Sequence, residues 1–136
     1  MKRVFLDTNI LLDAALRREH CEDANNLLQL GDDGEIQLCA SCISYITIAY
    51  VLRHHSKEEL YAYEQALREG IDVLSIDSIQ LDYAINNPVN DFEDMMQYCC
   101  AKAGKCDVII TNNKKDFLEF CDIPVMTAAE FVRTIN

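Results

Sequence analysis

Three short clusters of carboxylates, amides and hydroxyls each stand where an apolar run meets a helix. Asp7-Thr8-Asn9 follows Val4-Phe5-Leu6. Asn90-Asp91-Phe92-Glu93-Asp94 opens a segment carrying Met95, Met96, Tyr98 and Cys99. Thr111-Asn112-Asn113-Lys114-Lys115-Asp116 follows Val108-Ile109-Ile110. Oxygen donors gathered in this way suit Mg2+ or Mn2+, hard cations held by a few carboxylates together with water and substrate phosphate. Such an ion activates a water and neutralises charge while a phosphodiester breaks, and two ions act as a clamp. Asp91 and Asp94 are three apart and share a helix face, which turns Glu93 elsewhere. The competing reading is structural, because Asp, Thr and Asn are favoured N-caps and acids are favoured in any first helical turn. Asp7 alone reads equally as cap or ligand, and so do Asp91 and Glu93. Asp94, inside its helix and followed by an apolar face, is harder to explain as a cap.

The elements that must position these residues alternate between strand and helix. Val4 to Leu6 reads as a strand buried on both faces, with a helix over 10–18 and another over 21–30 that Gly31-Asp32-Asp33-Gly34 closes as a turn. A second strand over 36–40 leads to a helix capped by Ser41 or Ser44 and carrying Ile46, Ile48, Val51 and Leu52. Ser56 with Glu59 opens a further helix as a capping box, ending near Gly70. Strands follow over 73–76, 108–110 and, at a sheet edge because of Pro124, 123–126. Between them lie helices over 78–86 and from about 90 to Gly104, a short turn over 114–120, and a last helix over 128–134 capped by Thr127. The pattern predicts an α/β fold: a three-layer α/β/α sandwich around a parallel sheet of four to five strands. Ligands of such sheets bind beyond the carboxyl ends of the strands, where Asp7 and Thr111 fall.

With 136 residues, half of them hydrophobic, the chain reads as one domain over 1–136. It lacks an apolar run of membrane-spanning length and a leader with a cleavage site, so a soluble, cytoplasmic protein without a membrane partner is expected. The seven cysteines are odd in number and irregular in spacing, which fits buried thiols in a reducing compartment. Cys39 and Cys42 have C-x-x-C spacing but no second pair, and His20, His54 and His55 lie at no ligand spacing from them. Twelve Lys and Arg against 23 Asp and Glu give a net charge of −11, which excludes broad electrostatic binding to nucleic acid but not a nuclease whose acids are neutralised by metal. Lys114 or Lys115 could meet a phosphate, and Arg53 with His54 and His55 forms either a phosphate-binding edge or a solvated helix end. No glycine-rich phosphate loop is present.

The segments Phe5-Leu6-Asp7-Thr8-Asn9-Ile10-Leu11-Leu12-Asp13, Asp91-Phe92-Glu93-Asp94 with Gln97-Tyr98, and the run from Asp107 to Phe117 resemble the signatures of PIN domains, the fold of VapC-type toxin ribonucleases. Pro124-Val125-Met126-Thr127, leading to Glu130-Phe131, is similar to the usual ending of that family. The resemblance implies a Mg2+- or Mn2+-dependent ribonuclease acting on RNA, a homodimer, and an antitoxin partner that blocks the site. It places Asp7 as the first acid and Asp94 as the third. The fourth falls on Asn113 or Asp116, of which Asp116 keeps its charge. Asn9, Thr111 and Asn113 match positions that shape the site, and Asp91 becomes a substitute or outer ligand. The family's second acid, a glutamate six residues past a serine, has no counterpart: Ser41 leads to Thr47 and Ser44 to Tyr50, and no Asp or Glu lies between Glu35 and Glu58. That departure keeps a rival open, a catalytically inactive PIN-like scaffold binding RNA or a protein. A metal-dependent phosphatase or DNA nuclease would use the same carboxylates.

Overall fold

The computed structural model describes residues 1–135. Along it run β1 (Arg3–Leu6), α1 (Thr8–Leu16), α2 (Cys21–Asp32), β2 (Gln37–Ser41), α3 (Cys42–Val51), α4 (Lys57–Gly70), β3 (Asp72–Leu74), α5 (Ser78–Asn86), α6 (Phe92–Ala103), β4 (Val108–Ile110), α7 (Lys114–Leu118), β5 (Val125–Met126) and α8 (Ala128–Ile135). The five strands form one parallel sheet in the order β3-β2-β1-β4-β5. Side chains alternate across it, as strand geometry requires. Val4, Leu6, Leu38, Ala40, Val108 and Ile110 pack against α1, α2, α3, α4 and α8, whereas Phe5, Cys39 and Ile109 pack against α5, α6 and α7. The result is the α/β/α sandwich that the alternating pattern predicts. From β1 the chain builds outward to β3, then returns to β1's other side with β4. The strand order therefore reverses between β1 and β4, the place beyond whose carboxyl ends parallel sheets bind their ligands.

Several element ends differ from the sequence reading, and those of α1, β3, β5 and α2 do so for local reasons. α1 begins at Thr8 because Asp7 caps it, and ends where Arg17 turns left-handed at φ 53°. β3 stops at Leu74 because its partner on β2, Ser41, is that strand's last residue and α3 begins at Cys42, so Ser75 and Ile76 have no strand to pair with. β5 is only Val125–Met126, and Pro124 contributes a carbonyl that accepts from the Ile109 N–H at 2.9 Å. Gly31 does not open a turn; it lies inside α2, and only Gly34 takes a left-handed φ of 76°.

Gly31 is there because α2 lies close on the sheet. A Cβ at this position would meet the Leu38 side chain, with Leu38 Cγ at 2.8 Å. Leu38 is itself buried and has little room to move. Overpacking costs about 1–3 kcal/mol, against which alanine gains about 1 kcal/mol of helix propensity over glycine. Gly31→Ala should therefore lower the melting temperature by several degrees in a thermal scan. An unchanged or higher value would mean that α2 can lift without loss.

Candidate metal centre

β1 passes into α1 without a linker. The Asp7 N–H extends the strand ladder to the Ile110 carbonyl at 3.0 Å, while Asp7 Oδ1 accepts from the Thr8 N–H at 2.9 Å and so caps the helix. Oδ2 accepts from the Thr111 hydroxyl at 2.9 Å. Thr111 is fully buried just past β4, and its Oγ1 accepts from the Asn113 N–H at 3.1 Å. The cap that the sequence allowed is thus real, and the same carboxylate stands at the reversal point of the sheet. Asp7 is 5% exposed. Burial pushes its carboxyl up to about 6 against the hydrogen bonds from Thr111 and Thr8, and the charges of Glu93 and Asp91 add to the rise.

α6 starts at the same edge. Asp91 is its N-cap and accepts from the Asp94 N–H at 3.1 Å. Asp91 has extended backbone (φ −117°, ψ 106°), so it caps the helix rather than belonging to its first turn, and from there its charge acts on Asp94 ahead of that of any other acid. Glu93 is correspondingly placed where spacing alone did not put it. Its charge acts on Asp7 ahead of that of Asp91, and its own carboxyl is raised by burial and by Asp91. Asp94 is pushed up to about 7, first by burial and then by Asp91, Asp7, Asp116 and Glu93. Asp116 reaches this cluster from the first turn of α7. Asp91, Lys115, Asp116 and Glu119 line a cleft of about 180 Å³ beside it. A larger cleft of about 360 Å³ between α5 and α6, lined by Ile79, Tyr83 and Tyr98, lies toward the other end of α6 and holds one acid, Asp122, paired with Lys102.

The remaining candidates divide. Asn113 is exposed and occupies the N-cap position of α7 without a side-chain capping bond, and Asn9 is exposed in the first turn of α1. Lys114 is taken by Glu130, at 2.9 and 3.1 Å, so it is not the phosphate contact that the sequence offered, whereas Lys115 is exposed on the cleft. Arg53 stacks on Tyr50 at 4.1 Å and His55 sits 3.5 Å from Glu59, which makes this the solvated helix end rather than a phosphate edge. Cys39 is buried and Cys42 exposed, and all seven cysteines are free. α3 turns Ser44 inward and carries no acid of its own, Thr47 is half-buried and Tyr50 exposed. Sequence reasoning named two further residues in their motifs without giving them a role: Asn112, whose amide donates to buried Asp13 at 2.8 Å, and the buried Gln97 below Asp94.

A carboxylate-only donor set fits a hard divalent ion, and the two lone pairs that Asp7's hydrogen bonds leave free are available to one. Among the described residues no three His, Cys, Asp or Glu side chains are drawn in far enough to hold an ion as placed. Acids that raise one another's proton affinity would have to close by side-chain rotation around a cation. Comparison with known proteins bears on this arrangement. Ribonuclease VapC1 of Aquifex aeolicus (strain VF5) is 24% identical over 141 residues, covering 99% of this chain and 96% of that protein. VapBC2 from Rickettsia felis, solved bound to a DNA fragment from their promoter, superposes with a TM-score of 0.68 at 18% identity over 90% of this chain and 96% of that one. A toxin-antitoxin complex from Klebsiella pneumoniae gives 0.64 at 21% identity over 92% and 97%. At such identities the two structures speak for the fold alone. Residues 3–115, however, match the model of the PIN domain, and by that match the chain belongs to the PIN domain family.

Proposed function

We propose that this protein is a metal-dependent ribonuclease, the toxin of a toxin–antitoxin pair, with Asp7, Asp94 and Asp116 holding Mg2+ or Mn2+ and Asp91 as a further ligand. The observation that carries the reading is the convergence on Asp94. Acids from β1's end, the α6 cap and α7 all raise its proton affinity, and a cation would relieve that repulsion. The substrate assignment is supported by the relative named a ribonuclease, and the antitoxin by the toxin-antitoxin complex of like fold. A homodimer accompanies the reading on family resemblance. When bound, the ion would polarise phosphate and make water more acidic. The protein's part is orientation: Thr8 and Thr111 fix the Asp7 carboxylate, the α6 cap fixes the start of the helix bearing Asp94, and Lys115 offers a cation beside Asp116 to an incoming phosphate. Asn9, Thr111 and Asn113 shape the rim.

The test is calorimetric titration of Mn2+ into wild type and Asp94→Asn, beside cleavage of a mixed RNA pool. Wild type should bind at micromolar to millimolar metal and cut RNA; Asp94→Asn should bind at least about tenfold more weakly, the scale of a lost ligand-shell group. One observation favours a second reading, an inactive scaffold that binds RNA or a protein: α3 brings Ser44 and no acid toward the site. Wild type that binds no metal at millimolar concentration, or binds it without cutting any RNA, would favour that scaffold.

A further inference from the structure

Beneath the carboxylates, four polar side chains from four elements are sealed from solvent. Ser41 at the end of β2, Ser44 on α3 and Gln97 on α6 are fully buried, and Thr8 on α1 is 4% exposed. The Ser41 hydroxyl donates to Gln97 Oε1 at 2.5 Å. Gln97 Nε2 donates to Thr8 Oγ1 at 2.8 Å and to Ser44 Oγ at 3.2 Å, and the Thr8 and Ser44 oxygens are 2.7 Å apart.

The hydrogens can be counted. Both amide protons and the Ser41 proton are spoken for, so one hydrogen lies between Thr8 and Ser44. If Ser44 gives it, the Thr8 proton is left to point out of the network. Each of the four side chains nevertheless has a hydrogen-bond partner within the network, the condition for burying such groups at all. A fold does not need them here, since apolar side chains of the same shape would pack about as well. What the network does provide is a rigid tie between two particular places. Thr8 directly follows Asp7, and Gln97 stands one helical turn after Asp94.

We infer that Gln97 is a positioning residue: through Thr8 and Ser44 it sets the separation of Asp7 from Asp94, in a site to which α3 contributes no acid. The inference rests on the metal-dependent reading above. It is tested by Mn2+ calorimetry on metal-free wild type, Gln97→Leu, Thr8→Val and Thr8→Ser, with a thermal scan of each. Gln97→Leu and Thr8→Val should bind Mn2+ at least tenfold more weakly at temperatures where they are folded, and Thr8→Ser, which keeps the hydroxyl, should restore binding to within about threefold of wild type. A network that only held the fold together would lower the melting temperature and leave the affinity of the folded chain unchanged; that result overturns the inference while the metal site stands. Should Gln97→Leu fail to fold, the contrast between Thr8→Val and Thr8→Ser decides by the same criterion. Absence of Mn2+ binding by wild type would overturn the metal reading itself, and this inference with it.

Discussion

Asp7→Asn should lose RNA cleavage by at least about a hundredfold, the scale of removing one preorganised electrostatic partner from an active site, while melting no lower than wild type at neutral pH. The two halves of that expectation have one cause. Burial lifts the Asp7 carboxyl to about 6, so the folded chain binds this proton more tightly than the unfolded one. The charged carboxylate then opposes folding at pH 7, by an order of about 3 kcal/mol, and the opposition fades as pH falls from about 7 to about 4. Asparagine removes the charge and keeps both contacts, although the Thr111 hydroxyl proton that Oδ2 now accepts must find another acceptor, at a cost of about 1–3 kcal/mol that the relieved charge offsets. Its oxygen accepts from the Thr8 N–H, as Oδ1 does now, and its NH2 donates to Thr111 Oγ1, which is able to accept. Thermal scans at pH 7.5 and pH 4.5 separate the outcomes. The variant should equal or exceed wild type at the higher pH, and its advantage should vanish at the lower. A large loss of stability at both would make Asp7 a structural cap and nothing more.

Much of this site was legible because its acids sit at element ends, where composition changes abruptly along the chain. The ends of β1 and β4 announce themselves as apolar runs stopped by Asp7 and Thr111, and parallel topology then brings the two together across 104 residues. Gln97 was not legible in the same way. A glutamine among Met96, Tyr98 and Cys99 looks like a polar interruption of an apolar helix face, and its partners Thr8, Ser41 and Ser44 lie 89, 56 and 53 residues away. Glu93 was misplaced by a helical face drawn through Asp91, which the cap geometry puts outside the helix. Lys114 read as an alternative to Lys115 for meeting a phosphate because Glu130, which holds it, is sixteen residues on and belongs to the capping of another helix through Thr127. In each case a local pattern was right about residue type and silent about the distant partner that decides the role.

α7 shows how far the site depends on the core behind it. The helix is Lys114–Leu118, too short to persist by its own hydrogen bonds, and the Asn113 side chain does not cap it. Phe117 is what holds it. That ring is fully buried in the layer of α5 and α6 and lies 5.9 Å from the Phe120 ring, which in turn meets Tyr98 edge-on at 5.6 Å. Phe117→Ala should cost about 3–5 kcal/mol, a large share of the stability of any domain, and lower the melting temperature by roughly 10–20 °C. Leu118→Ala, on the exposed side of the same short helix, should change it by no more than about 0.5 kcal/mol. The functional consequence follows from the chain, since Asp116 is the residue before Phe117 and has no other anchor at its own position than this helix. Phe117→Leu, which keeps much of the apolar volume, allows the measurement on a folded chain. Its Mn2+ affinity should fall as α7 loosens and Asp116 drifts from Asp94. A folded Phe117→Leu that binds Mn2+ as wild type does, while melting several degrees lower, would mean that Asp116 takes no part in the site and that Asp7, Asp94 and their neighbours on α6 hold the ion without it.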